Sequence, residues 1–165
     1  MIFPYFDNME IIERIRKQYD SLHNLVNPHI TLVFPFEDEI SNNELKNIIE
    51  ECLNDINPFE LVLHGFSTQE NKYGNYLFLK VIRGSEKIIK LHDILYSKIW
   101  NIESNRLEYI PHMTVGKFRA VDKMNEAYRN VKDIGNLFET MVNKISVEMV
   151  GENEESIIIL EKELQ

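Results

Sequence analysis

Two pentapeptides constrain this chain more than any other feature: Pro28-His29-Ile30-Thr31-Leu32 and Pro111-His112-Met113-Thr114-Val115, half a chain apart. Both sit in the same local context. Asp7 and Glu10 have the spacing of a capping box, and Ile12, Ile15 and Tyr19 recur at helical intervals, so a helix to about Tyr19 is expected. Pro28 disfavours helix at Asn27, and the β-branched and aromatic run Ile30 to Phe34 reads as a strand. Ser41 and Glu44 form a second capping box opening a helix through Leu53. Phe59 to Gly65 and Asn75 to Val81 read as strands around a turn at Asn71 to Gly74.

The second half repeats this order. Ser85 is expected to cap a helix whose apolar face includes Ile88, Leu91, Leu95 and Ile99. Tyr109 to Phe118 reads as a strand, about Asp122 to Lys132 as a helix, and Thr140 to Val150 and Ser156 to Glu163 as strands joined by a turn at Gly151 to Glu154. Helix, Pro-His strand, helix, strand, strand occurs twice. That order predicts an α+β fold of two pseudo-symmetric lobes, each an antiparallel sheet with helices, around a central cleft. The 44% hydrophobic content, with nine Phe and seven Tyr, supplies a packed interior. Half of 165 residues is only marginally stable alone, so residues 1–165 are expected to form a single bilobal domain.

Alternation along a strand puts His29 and Thr31 on one face and Ile30 and Leu32 on the other, and likewise His112 and Thr114 against Met113 and Val115. Each strand therefore offers an imidazole and a hydroxyl about 7 Å apart. One such match would be weak, since a lone His beside a Thr is ordinarily a satisfied core or strand residue. Two matches in equivalent places are informative. Opening a phosphodiester needs one group to take a proton and another to give one, and imidazole does either near neutral pH. Two hydroxyls can hold the non-bridging oxygens between them.

The paired His-apolar-Thr-apolar motifs resemble the signature of the two-histidine (2H) phosphoesterase superfamily, which includes the 2′-5′ RNA ligase-like and cyclic phosphodiesterase proteins. The longer stretch Asn27-Pro28-His29-Ile30-Thr31-Leu32-Val33-Phe34-Pro35-Phe36 is similar to a bacterial branch of phosphoesterases. The resemblance implies a bilobal fold with the motifs facing each other. It implies His29 as proton donor and His112 as proton acceptor, with Thr31 and Thr114 binding the phosphate. Ligase-like members often carry arginine five residues after the second histidine. This chain has Lys117 there, an auxiliary phosphate-binding candidate that lacks the bidentate guanidinium fork.

The implied activity is metal-independent hydrolysis of a 2′,3′-cyclic phosphate or a related nucleotide or RNA-end phosphodiester, without a cofactor. The alternative is a non-catalytic module of the same fold that binds a nucleotide or RNA end. A metal hydrolase using both histidines as ligands is the third reading, but no His-x-His or His-Glu-x-x-His spacing supports it. A net charge of −9 favours a small nucleotide or RNA terminus as partner over tight binding of long nucleic acid. Cys52, the single cysteine, is expected to be a buried thiol, and no disulfide can form within the chain. The run Ile157 to Leu160 falls far short of the roughly 20 apolar residues that span a bilayer, so no membrane association and a cytoplasmic location are expected. Oligomeric state leaves no mark on the pattern. His23, His64 and His92 are expected to be structural or solvated, and Phe36, Phe66 and Tyr73 to pack or anchor loops rather than stack a base.

Overall fold

Helix α1 spans Met9–Tyr19 and buries Ile12 and Ile15. Its expected capping box does not form: Asn8 is the N-cap and no side chain caps the helix. At Ser41 the cap half of the box forms, with Ser41 Oγ accepting from the Glu44 N–H at 3.3 Å ahead of α2, Asn42–Leu53. These elements come from a computed structural model that describes residues 1–37, 40–100 and 109–165. Strand β1, Phe59–Asn71, turns at Asn71–Gly74 into β2, Gly74–Arg83, both longer than the sequence pattern suggests. Helix α3 follows at Ser85–Trp100. Ser85 is its first residue rather than its cap. Gly84 precedes it at φ +89°, where an added Cβ would lie 2.6 Å from the Glu60 carbonyl oxygen. Strand β3 is His112–Phe118, helix α4 Val121–Val131, and strands β4, β5 and β6 are Phe138–Val142, Lys144–Val150 and Ser156–Glu163.

The expected strand over Thr140 to Val150 is thus two strands, broken at Asn143, and they lie in different sheets. One sheet has the order β3-β2-β1-β4 and the other pairs β5 with β6, all antiparallel. The first-half hairpin β1–β2 pairs with the second-motif strand β3. The second-half hairpin β5–β6 meets the first half, where Ser146 N–H donates to Met1 O at 3.0 Å and Ser156 N–H to Leu25 O at 2.9 Å. The two halves therefore exchange hairpins across the fold.

The first motif is where sequence and structure differ most. Ile30 to Phe34 does not form a strand. Ile30 alone makes bridges, antiparallel to Ile2 on one side and to Met113 on the other. The next carbonyls are claimed by side chains: Tyr109 Oη–H donates to Thr31 O and His92 Nδ1–H to Leu32 O, each at 2.6 Å. Pro35, lacking an N–H, offers no further ladder donor.

Those bridges join the two sheets into one curled antiparallel surface running β6–β5–Met1/Ile2–Ile30–β3–β2–β1–β4. One face of it carries Ile2, Ile30, Met113 and Leu79, all buried in the hydrophobic core. Helix α1 packs against β3, α4 against β1, β2 and β3, and α2 against α3 and β6. The fold is α+β, as the repeated order of elements predicts. Cys52 is a buried free thiol on α2. Among the described residues no helix is long and apolar enough to cross a membrane.

Candidate active site

The bridge between Ile30 and Met113 fixes the positions of their neighbours. In an antiparallel pair, residues flanking a bridged pair oppose each other, so His29 lies across from Thr114 and Thr31 across from His112. All four share the face opposite the buried Ile30 and Met113. Directly opposed Cβ atoms are about 4.5–5.5 Å apart and diagonal residues roughly 7–8 Å apart, which is the relation between the two histidines. All four side chains are half-buried. One rung of backbone pairing thus gathers two imidazoles and two hydroxyls around a local two-fold axis.

The two rings are held alike. His29 Nδ1 lies 2.8 Å from Asn27 O, and His112 Nδ1 lies 2.7 Å from Ile110 O. A carbonyl only accepts, so Nδ1 carries the proton in both rings and Nε2 is left for a substrate. In each motif the acceptor is the residue before the proline, whose fixed φ turns that carbonyl back toward the ring. The Pro-His pairing thus does chemical work in ring orientation. Phe78 stacks on His112 with centroids 3.7 Å apart and planes at 27°, and Phe3 lies 5.7 Å from His29.

Burial lowers the pKa of both histidines below the ordinary imidazole value. At His29 this is opposed by the Asn27 carbonyl and the Glu148 carboxylate and reinforced by Arg16. At His112 it is opposed by the Ile110 carbonyl and reinforced by the charge of His29. The two rings feel each other electrostatically, so they titrate as a pair.

Lys117 reaches the same face through a β-bulge. Phe78 pairs with Thr114 but Leu77 with Gly116, leaving Val115 as an extra residue. Strict alternation from His112 would put Lys117 on the opposite face. The slip instead pairs it with Tyr76, and its Nζ lies 5.8 Å from the Tyr76 ring centroid. Arg119 lies beyond the end of β3.

Several residues that shape this site carry no motif. Lys80 pairs with His112 on β2 and so shares its face. Its side chain runs past Gly65, at φ +70°, where an added Cβ would sit 3.1 Å from Lys80 Cε. His92 is buried and stacks on Tyr109, with centroids 3.9 Å apart and planes at 3°. Together they hold the two carbonyls that follow Ile30. Burial pushes the Tyr109 hydroxyl above the usual phenol range, keeping it a donor. Arg16, also buried, binds Asp20 Oδ2 at 2.9 Å and Val26 O at 2.7 Å, ordering the loop that leads to His29. An arginine in the last turn of α1, four residues before an aspartate, is the only sequence signal for that anchor.

The other histidines stand apart from the quartet. His64 Nδ1 meets Asn136 O at 3.2 Å, and His23 lies 3.6 Å from Glu13. Phe66 is buried in the core, while Phe36 and Tyr73 are exposed. Among the described residues no three of His, Cys, Asp and Glu are grouped so as to hold a metal ion.

The profile of the 2′-5′ RNA ligase superfamily matches residues 5–149. Two bacterial proteins bearing the name "Putative phosphoesterase" are similar along most of the chain. The one from Bacillus licheniformis is 26% identical over 135 residues, covering 80% of this chain and 77% of its own. That from Halalkalibacterium halodurans is 25% identical over 149 residues, covering 88% and 84%. Crystal structures of Escherichia coli LigT share the fold. The complex with 3′-AMP has a TM-score of 0.57 at 16% identity, covering 92% of each chain. The complex with ATP has a TM-score of 0.54 at 15% identity, covering 96% of this chain and 94% of LigT.

Proposed function

The chain belongs to the 2′-5′ RNA ligase superfamily, and from that premise we propose that it is a metal-independent phosphoesterase. Its substrate is a 2′,3′-cyclic phosphate or a related nucleotide or RNA-end phosphodiester. The phosphate sits among His29, Thr31, His112 and Thr114. His112 Nε2 takes a proton from the attacking water, and His29 Nε2–H gives one to the departing oxygen. The ring protons on Nδ1 stay with Asn27 O and Ile110 O throughout. The threonine hydroxyls donate to the non-bridging oxygens, where negative charge grows in the transition state. Lys117 adds positive charge at the edge.

The observation that carries this reading is the Ile30–Met113 bridge, which puts both histidines on one face with both threonines, each ring holding a carbonyl through Nδ1 and leaving Nε2 unbonded among the described residues. Buried His92 makes the same kind of bond to Leu32 O, so it is the convergence of two such rings with two hydroxyls, rather than the bond itself, that supports proton transfer. The names of the bacterial relatives support phosphoesterase chemistry. The ligands in the LigT crystals, ATP and 3′-AMP, support a small nucleotide as the partner. A cytoplasmic location belongs to the same proposal.

A panel of cyclic and linear phosphodiesters assayed in EDTA tests it. Turnover of at least one, retained in EDTA, is the expected result. With a nitrophenyl ester, whose leaving group needs little protonation, His29→Ala should recover part of the lost rate and His112→Ala much less. Equal recovery would overturn the donor and acceptor roles. Nucleotide binding without turnover would make the protein a binding module.

A further inference from the structure

The curled surface continues past His29 into a pocket of about 250 Å³, walled by Phe3, Asn24, Asn27, Ser146 and Ser156. It adjoins the first histidine and not the second. Phe3 lies 5.7 Å from the His29 ring, and the Asn27 carbonyl is the His29 acceptor. We propose that this pocket holds the alcohol that leaves, and that it is shaped for an uncharged nucleoside rather than for a group bearing another phosphate. This inference rests on the assignment of His29 as proton donor, because the group next to the donor is the one that departs.

The wall chemistry selects the ligand class. Lys144, the pocket's one lysine, is paired with Glu161 at 2.8 Å. Ser146 donates to Glu161 at 3.3 Å, and Ser156 donates to Glu148. Both hydroxyls have spent their protons on carboxylates, so the half-buried Ser156 presents lone pairs toward a ligand, while Ser146 lies buried in the wall. The carboxamides of Asn24 and Asn27 make no side-chain hydrogen bond among the described residues and can accept as well as donate. An acceptor-rich wall suits a donor-rich guest such as sugar hydroxyls or an exocyclic amine. Phe3 offers an apolar ring beside them.

Charge argues the same way. The pocket's lysine is matched by Glu161, and His29 feels Glu148 against Arg16 and the amino terminus, so the wall offers no lysine free of a carboxylate. A second phosphate there would have no free lysine to offset its desolvation in a half-enclosed space. Across the site the balance differs. Lys80 and Lys117 lie on the His112 side, and neither pairs with a carboxylate among the described residues. A substrate carrying further negative charge is thereby oriented, with its anionic part over the lysines and its neutral nucleoside in the pocket.

The test compares three esters of one nucleotide whose leaving alcohols are adenosine, methanol and adenosine 5′-phosphate. Wild type should favour adenosine over each of the others by about tenfold or more in kcat/KM, equivalent to about 1.4 kcal/mol. Asn24→Trp, an exposed position at the rim, should bring the adenosine-to-methanol ratio close to one, with Ile158→Trp as a second way to fill the space. Adenosine binding, measured by calorimetry on wild type and both filled variants, gives a readout independent of turnover. Turnover without selectivity among the esters, together with undiminished adenosine binding in the filled variants, would overturn the pocket assignment and leave the catalytic reading intact. Adenosine binding that the filled variants lose, in a protein that cleaves none of the esters, would uphold the pocket as a nucleoside site and sink the catalytic reading instead.

Discussion

Replacing Tyr109 by Phe isolates one hydrogen bond at a distance from the chemistry. The ring remains stacked on His92, so only the 2.6 Å bond from Tyr109 Oη–H to Thr31 O is lost. A neutral hydrogen bond contributes about 1 kcal/mol net, and leaving a partly buried acceptor unsatisfied costs about 1–3 kcal/mol. A domain of this size loses roughly 2–4 °C in Tm per kcal/mol, so a fall of about 2–12 °C is expected. The effect on rate acts through Thr31. Losing a donor to a developing oxyanion costs on the order of 10²-fold, and a loosened donor should cost part of that, about tenfold in kcat with KM little changed. The decisive assay is a double-mutant cycle with Thr31→Val. If Tyr109 works by positioning Thr31, its removal should cost almost no further rate once the hydroxyl is gone. Additive losses in kcat, or an unchanged Tm, would refute the reasoning.

Thr114→Val should lower kcat by about 10²-fold with the fold intact, because its hydroxyl stands in the equivalent place across the bridge; an unchanged rate would remove it from the phosphate cradle. Both histidine pKa values are lowered by burial from 6.5, so kcat/KM should follow a bell whose maximum lies on the acid side of that value, and a plateau rising above pH 8 would contradict it. The same shifts affect stability: folding is favoured most above the unfolded value of 6.5 and loses that contribution as pH falls through the lower folded values, so Tm should drop on acidification less steeply in the His29→Ala, His112→Ala double variant. Lys117→Ala should raise KM several-fold in proportion to about 0.5–1 kcal/mol of exposed charge, with high salt erasing the difference, while Arg119→Ala should leave KM alone.

Helix periodicity, the Ser41 cap and the β1–β2 turn are local, set by residues within a few positions of one another, and each lies where the pattern puts it. The two Pro-His motifs are local in the same sense. Each ring meets a carbonyl two residues back, so its orienting partner lies within the motif itself. Other features depended on partners distant in the chain. Ile30 to Phe34 has the composition of a strand, yet its carbonyls go to His92 and Tyr109, and nothing near Leu32 in sequence announces either. The exchange of hairpins between halves follows from which sheet edges meet, because β-pairing is satisfied by any compatible neighbour irrespective of sequence order. Lys117 shares the face of His112 because of one extra residue at Val115, and a period-2 pattern cannot register a slip that the partner strand imposes. The residue types needed for proton transfer were therefore written in two short segments. Their convergence at a single backbone bridge, and the polar pocket beside one of them, were decided only when the sheet curled.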